Sequence, residues 1–149
     1  MKRFLIWIIA GLAVFSSLVF YNYVQAQKDI KNTRPAPLSI ELVSFPDRVK
    51  VGESASFVWH LSSSPDLSTS YTAIYWGYQS SPSALTTSDS PEAVMYPNSE
   101  LDYADGVFSL PDTFDLNLVF KKPGRVWFRA YAKVKEAHLW SGENSVIVE

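Results

Sequence analysis

The 149-residue sequence contains no cysteine and only two histidines. The absence of cysteine excludes disulfide bonds, thiolate catalysis and attachment to a lipid through a thiol. Neither His60 nor His138 is accompanied by a metal-ligand spacing, and the sequence has no G-x-S-x-G elbow and no glycine-rich phosphate loop. We therefore expect a protein that is not an enzyme, with no catalytic residues, no cofactor and no bound metal.

Positive charge is scarce beyond the first 34 residues. Five of the 13 basic residues and one of the 15 acidic residues lie in residues 1–34, so the remainder carries a net charge of −6. Binding to nucleic acid depends on clustered Lys and Arg side chains that contact phosphates. The charge distribution therefore excludes nucleic acid as an expected partner.

The chain beyond residue 24 contains no long apolar run, but the residues up to Val24 form one. The 21 residues from Phe4 to Val24 carry no charge, and as a helix they would extend about 31 Å, close to the thickness of the hydrocarbon core. Two interpretations remain open: a retained signal-anchor helix over residues 1–26, or a signal peptide cleaved after Ala26. The run is longer than the usual signal-peptide core of roughly 7–15 residues, which favours the anchor.

Basic side chains flank the apolar run on both sides, so the positive-inside rule is nearly balanced. They are Lys2, Arg3, Lys28, Lys31 and Arg34. A charged start that leads directly into an apolar stretch is typical of secretory and signal-anchor segments. We predict a single-pass protein of the cell membrane, inserted through residues 4–24, with its C-terminal domain outside the cytoplasm. Cleavage after Ala26 would instead give a secreted protein.

Residues 27–37 are polar and contain Pro35 and Pro37, so we interpret them as a linker. Residues 38–149 suit one domain by length. Short alternating segments separated by Pro, Gly, Ser and Asp predict an all-β fold, an antiparallel β-sandwich. The predicted strands are 38–43, 54–61, 71–78, 114–120, 125–134 and 145–149, with turn regions at 62–70 and 121–124 and a loop that carries Trp140-Ser141-Gly142.

Alternation predicts which side chains face the core. Ala55, Phe57, Trp59 and Leu61 share one face, and the even-numbered residues of 114–120 and 126–134 are apolar or small and are expected to point inward. Four prolines fragment residues 80–111, where we expect only short edge strands, at 94–96 and 107–110.

Three segments resemble immunoglobulin-like domains, and fibronectin type III domains in particular. The segment PGRVWFRAYAKV followed by LWSGENSVIV is similar to the last two strands of such a domain, and VGESASFVWHLS is similar to an early strand. The resemblance implies an immunoglobulin-like β-sandwich in a membrane-anchored cell-surface protein. Two departures leave the subfamily open: the chain lacks a cysteine pair, and Val126 stands where a corner tyrosine is common.

The histidines and acids fit structural roles better than catalytic ones. His60 is expected to be an exposed or hydrogen-bonded strand residue on the face opposite Trp59, and His138 to lie in the loop before the last strand. Acidic residues cluster within residues 100–115, but Asp102-x-x-Asp105-Gly106 lacks the spacing of a calcium loop. We interpret the cluster as a solvated acidic loop.

An aromatic set on the outer face is the candidate binding site. The alternation of side chains along the strands puts five residues on the same outer face: Tyr71, Tyr75, Trp127, Arg129 and Tyr131. Aromatic and Arg side chains are enriched in interface hot spots, so the set could bind a protein or a glycan. The same residues could instead stabilise the sheet by cross-strand pairing, or Arg129 could stack between the rings and Trp140, and this structural interpretation is favoured.

These observations favour a membrane-anchored, extracytoplasmic module for protein interaction or structural scaffolding at the cell envelope, with another envelope protein or a glycan as its partner. The alternative is a carbohydrate-binding surface module that uses the outer aromatic set.

Overall fold

The computed structural model describes residues 19–23, 25 and 37–149, apart from residues 65, 82, 95 and 104. Residues 19–23 and Gln25 are helical. Most of the predicted anchor and nearly all of the linker lie outside the described residues, so both stay predictions. Within the residues described, no helix has the length and apolar character that crossing a bilayer requires. Ala36–Glu149 forms a compact unit of its own.

The described part of this unit is built from short strands and one turn of 3-10 helix, Pro91–Ala93. The strands are β1 (Ser39–Ser44), β2 (Arg48–Val49), β3 (Ser54–Ser62), β4 (Ser68–Thr69), β5 (Tyr71–Gly77), β6 (Asn98–Tyr103), β7 (Phe108–Ser109), β8 (Asp112–Val119), β9 (Gly124–Val134), β10 (Ala137–Trp140) and β11 (Asn144–Val148).

The strands form two main sheets that pack face to face. The smaller sheet has the order β1-β3-β8, and the larger has the order β2-β11-β9-β5-β6, with β10 also paired to β9. A separate ribbon joins β4 and β7. This arrangement confirms the predicted all-β, immunoglobulin-like sandwich. The expectation of wholly antiparallel pairing is wrong at one position, because β2 runs parallel to β11.

The core lies between the two sheets and follows the predicted alternation. Ala55, Phe57, Trp59 and Leu61 of β3 are each at most 3% exposed, and the even-numbered residues are buried from Phe114 to Leu118 in β8 and from Val126 to Val134 in β9. The ring of Phe57 meets that of Phe128 at 4.8 Å and 81°, an edge-to-face contact that adds to the burial energy.

One polar bridge crosses this apolar core. The indole Nε1 of Trp59 donates to the hydroxyl of Thr72 at 2.8 Å, and that hydroxyl donates to the carbonyl of Tyr131 at 2.7 Å. Trp59 lies on the smaller sheet, whereas Thr72 and Tyr131 lie on the larger one. A buried N–H without a partner would cost free energy, so the bridge allows the largest aromatic side chain to be buried completely.

The predicted loop at Trp140-Ser141-Gly142 is correct for Ser141 and Gly142, which lie between two strands, but wrong for Trp140, which ends β10. The chain reverses after β9 through a two-residue turn, Lys135-Glu136, with Lys135 at a φ of +54°. The turn lacks the Asn-Gly or Asp-Gly pair that marks such reversals in a sequence. His138 therefore lies on a strand and not in a loop. At Ser141 the chain bulges, and Ser141 exchanges hydrogen bonds with the backbone of Ala130.

Residues 80–111 contain more structure than the sequence indicated. The predicted edge strand at 94–96 is wrong, since Val94 caps the 3-10 helix and the edge strand β6 begins at Asn98. β6 is mostly polar, so it lacks the alternation that identifies a strand. The predicted strand at 107–110 is confirmed as β7, which pairs with β4 inside the segment expected to be only a turn.

Candidate functional site

The outer face of the larger sheet carries a cluster of rings, which we call the aromatic cluster. Its members are Tyr71, Tyr75, Tyr131, His138 and Trp140. The register of β5 with β9 and of β9 with β10 brings them together. The ring centroids of Tyr131 and Trp140 lie 4.5 Å apart, and those of Tyr75 and Trp140 lie 5.3 Å apart. Three of the five predicted site residues thus meet in one place.

Hydrogen bonds link the polar ends of the cluster. The hydroxyls of Tyr71 and Tyr75 are 2.9 Å apart, and the Tyr131 hydroxyl lies 2.7 Å from Nδ1 of His138. Burial raises the pKa of Tyr131 to about 12, and burial, followed by the hydrogen bond with Tyr71, raises the pKa of Tyr75. Both phenols are therefore neutral at physiological pH and cannot serve as general bases there.

The segment between β5 and β6 lies against the aromatic cluster. The carbonyl of Asp89 accepts a hydrogen bond from Nε1 of Trp140 at 2.8 Å, and the carbonyl of Thr87 accepts one from the backbone of His138 at 3.0 Å. Tyr131 is only 2% exposed as a result. The rings of Tyr71 and Tyr75 remain half-buried.

Most rings of the cluster are inclined to one another, although His138 lies within 29° of the plane of Tyr131. Tyr75 makes an angle of 82° with Tyr131 and 65° with Trp140. Such edge-to-face contacts stabilise the cluster itself, by about 0.5–1.5 kcal/mol per pair beyond burial. They do not form the flat, open ring face on which a sugar would stack. The geometry favours the structural interpretation of this set.

Arg129, a fourth predicted site residue, lies buried beside the cluster at 5% exposure. Its guanidinium donates to the carbonyls of Ser141, Ser81 and Ser83 at 3.0, 2.8 and 3.1 Å. Its Nε donates to the Tyr96 hydroxyl at 3.4 Å. Arg129 therefore does not stack between rings, and it is not available at the surface to a partner.

Glu143 completes the network around Arg129. Its carboxylate accepts hydrogen bonds from the hydroxyls of Ser80 and Tyr96 and from the backbone N–H of Ser81. Partial desolvation raises the pKa of Glu143, but these hydrogen bonds and the charge of Arg129 outweigh it and hold the pKa below its ordinary value. The network joins β9, the bulge after β10 and the segment that follows β5, and it fixes that segment over the sheet.

Trp127 and His60 lie apart from the aromatic cluster. No ring contact within the described residues joins Trp127 to the cluster, and the guanidinium of Arg125 lies 5.6 Å above its ring. His60 lies on the outer face of the smaller sheet, where Nδ1 is 2.8 Å from the Thr113 hydroxyl. Across the described part of the chain, no three His, Asp or Glu side chains converge to hold a metal ion.

A second candidate site, which we call the lateral cleft, opens at the edge of the sandwich. It has a volume of about 520 Å³ and is lined by Trp76, Tyr78, Asn98, Glu100, Val119, Lys121 and Lys122. Trp76 lies on β5 and Tyr78 just after it, whereas Asn98 and Glu100 lie on β6. Val119 ends β8, and the two lysines lie in the turn that follows. The volume falls within the roughly 300–1,000 Å³ range of ligand pockets.

Sequence reasoning missed the lateral cleft, although one signal was present. In β8 the outward positions Asp115 and Asn117 are polar, but the next one, Val119, is apolar and 50% exposed. An apolar residue at a solvent-facing position beside Lys121 and Lys122 marks an unusual surface. The other half of the site comes from β6, which the sequence did not reveal.

No protein-family model matches the chain, and no curated protein matches it. Solved structures with similar architecture include the PKD domain of an M14-like peptidase from a Thermoplasmatales archaeon, with 14% identity, a TM-score of 0.47, and coverage of 76% of this chain and 95% of that one. A CARDB domain from Pyrococcus furiosus, solved with di-metal ions, matches with 13% identity, a TM-score of 0.45, and coverage of 78% and 90%.

A β-glucosidase from Listeria innocua, in complex with glucose, matches with 14% identity and a TM-score of 0.48 over 76% of this chain but only 16% of the enzyme. At these values the matches carry no argument about function. The strand pairing itself defines the chain as an immunoglobulin-like β-sandwich.

Replacing Arg129 should destabilise the protein and release the segment after β5. In Arg129→Met the carbonyls of Ser81, Ser83 and Ser141 lose their donor, and the loss should lower the free energy of unfolding by on the order of 3 kcal/mol. Denaturant unfolding measures the loss, and limited proteolysis should show faster cleavage within residues 80–96.

Arg125→Met is the matched control for this change. Arg125 lies on the same strand but is exposed, and its guanidinium contacts only Ser145 and the ring of Trp127 among the described residues. We expect a loss below about 1 kcal/mol there. Equal losses in the two variants would contradict the role of the Arg129 network.

The Glu143 network should make stability depend on pH. Because the folded pKa of Glu143 is lowered from 4.5, its ionised form stabilises the fold above about pH 4.5, and this contribution is lost as pH falls through the lower folded value. The stability difference between the native chain and Glu143→Gln should therefore shrink as the pH is lowered below 4.5. Denaturant unfolding at pH 3 to 7 measures this difference. The control is Glu136→Gln, which replaces an exposed residue of the turn after β9. A difference that stays constant over this range would contradict the prediction.

Proposed function

We propose that the chain is a membrane-anchored, extracytoplasmic module that binds or scaffolds other proteins at the cell envelope and performs no catalysis. The observation that carries the proposal is the division of the chain. A 21-residue uncharged run lies at one end, and a compact immunoglobulin-like sandwich occupies Ala36–Glu149 at the other. The first suits insertion into a bilayer, and the second suits an aqueous compartment.

Protein interaction is favoured over carbohydrate binding. A glycan site needs an accessible, flat ring face, whereas Tyr75 lies edge-on to Tyr131, and Tyr131 is buried beneath the segment after β5. Among its described residues the domain instead has an open strand edge at β8 and a cleft beside it, which are surfaces that other polypeptides use. Its charge of −6 beyond residue 34 also fits a soluble outer domain.

Membrane topology can be tested with single cysteines, because the natural chain has none. Glu136→Cys places a thiol in the exposed turn between β9 and β10, and the matched variant carries a cysteine inserted between Met1 and Lys2. A membrane-impermeant maleimide should label Glu136→Cys in intact cells and the N-terminal variant only after permeabilisation. The reverse pattern would contradict the orientation. A mature N-terminus at Gln27, found by mass spectrometry, would contradict the anchor.

Interaction can be tested by crosslinking in whole membranes at native abundance. We expect adducts of higher mass that contain a second protein, because a scaffolding domain works in contact with its partner. In the control, residues 1–37 are fused to an unrelated globular domain, and these adducts should disappear. A chain that stays solitary under crosslinking would contradict the interaction role.

A further inference from the structure

The lateral cleft exists because the two sheets have different widths. The smaller sheet ends at β8 and the larger at β6, and no strand among the described residues joins these two edges. One half of the opening is closed by Tyr103, whose ring packs on Trp59, Phe108 and Phe114 and whose hydroxyl donates to the carbonyl of Asp115 at 2.9 Å. The other half remains open as the lateral cleft.

The direction of the backbone groups along β8 follows from two hydrogen bonds. The carbonyl of Asp115 accepts from Tyr103 and so points away from β3, whereas the carbonyl of Phe120 accepts from Gly52 on the opposite side. Because successive residues of a strand point to alternate edges, the N–H and C=O groups of Asn117 and Val119 also point away from β3. These groups lie at the outer edge of β8, where Val119 lines the lateral cleft, and among the described residues no strand other than β3 pairs with β8.

The edges at β1, β2 and β6 carry protection against pairing, but the stretch of β8 beyond Asp115 does not. β1 contains a bulge after Leu42, β2 is two residues long, and β6 carries the charges of Glu100 and Asp102. Bulges, short length and charges are the usual means of blocking an edge. The stretch of β8 from Asn117 to Val119 has no charge, proline or bulge, so it can accept another strand.

The side chains of the lateral cleft define what such a strand would carry. Trp76 and Tyr78 meet at 73° with centroids 6.2 Å apart, so they form a corner that can enclose an apolar side chain. Val119 adds exposed apolar surface next to it. Beside the corner, the ammonium groups of Lys121 and Lys122 are exposed and form no salt bridge within the described residues. The two lysines outnumber Glu100, the one acidic residue in the lining, so the charge of the cleft favours a carboxylate on the partner.

We propose that the lateral cleft binds an extended peptide segment of a partner protein by strand addition to β8. The segment pairs with the backbone of Asn117 and Val119, places an apolar or aromatic side chain in the Trp76–Tyr78 corner, and directs an Asp or Glu toward Lys121 and Lys122. This inference rests on the proposed interaction function and assigns it a site. In such recognition the backbone pairing supplies affinity and the side-chain pockets supply specificity.

The test uses the full chain in lipid nanodiscs and an array of capped seven-residue peptides. Every peptide has an alternating Thr/Val backbone with Ser, Leu, Phe or Trp at its centre, flanked by Asp, Lys or Ser. Fluorescence anisotropy of labelled peptides measures binding. We expect peptides with a Leu, Phe or Trp centre and Asp flanks to bind best. Methylation of alternate backbone nitrogens should abolish their binding, because it removes the donors that pair with β8.

Charge reversal at the cleft supplies the matched comparison. The double variant Lys121→Glu/Lys122→Glu should bind the Asp peptides about tenfold more weakly and gain affinity for the Lys peptides. Lys135→Glu changes an exposed lysine at the other end of β9, and its binding should match that of the natural chain. Both variants alter exposed residues, and circular dichroism checks that both are folded.

Several outcomes would overturn the assignment. In the first, no peptide binds more tightly than the peptides with Ser at both the centre and the flanks. In the second, the N-methylated peptides bind as tightly as the unmethylated ones. In the third, Lys135→Glu weakens binding as much as the double variant does. Binding of cellohexaose or chitohexaose that is lost in Trp76→Ala would replace the peptide with a sugar. If peptides fail while crosslinked partners form through the body, the lateral cleft is refuted and the proposed function stands. If peptides bind but the topology or crosslinking results are negative, the proposed function is refuted and the lateral cleft stands as a peptide-binding site.

Discussion

The position of one buried guanidinium determines how the outer side of the larger sheet is covered. Arg129 cannot be left in the interior without acceptors, because desolvating its charge is costly. The chain supplies backbone carbonyls from both sides: Ser141 at the bulge after β10, and Ser81 and Ser83 at the start of the long segment after β5. Meeting this demand brings the segment across the sheet and explains why Trp140 and His138 lie beneath backbone carbonyls from Thr87 and Asp89.

The two sides of the sandwich have opposite characters as a result. Over β9 and β10 the sheet is covered, its rings are packed against each other, and burial raises the pKa of the Tyr75 and Tyr131 phenols. At the edge formed by β6 and β8, aromatic surface that belongs to the core reaches solvent, because Trp76 packs edge-on against Phe120 and also lines the lateral cleft. The geometry thus favours a structural role for most of the residues that suggested binding in the sequence, and the lateral cleft, where we propose peptide binding, lies elsewhere.

The sequence predicted well wherever burial imposes a period of two. β3, β8 and β9 each present one face to the core, so Phe57, Leu116 and Phe128 could be assigned inward from alternation alone. It predicted poorly wherever strands are held by something other than an apolar face. β6 is polar and is positioned by pairing with β5, and β10 follows a Lys-Glu turn that carries no hairpin signal.

The same limit applies to the candidate site. Parity placed Tyr71, Tyr75 and Tyr131 correctly on one outer face, but parity gives no information about what lies on top of that face. The covering segment is held through its main-chain carbonyls, which any residue type can supply. The sequence therefore does not indicate that Ser81 and Ser83 accept hydrogen bonds from Arg129. The lateral cleft depends on the spacing between two sheets, a tertiary property that only the exposed Val119 indicated.

The bridge from Trp59 through Thr72 to Tyr131 has a consequence for where the domain can mature. Many sandwich domains clamp their layers with a covalent sulfur link that forms only under oxidising conditions. Here two hydrogen bonds link the layers, one from an indole to a hydroxyl and one from that hydroxyl to a peptide oxygen. Folding of the domain therefore requires neither the oxidation of thiols nor a thiol isomerase, because the chain has no cysteine.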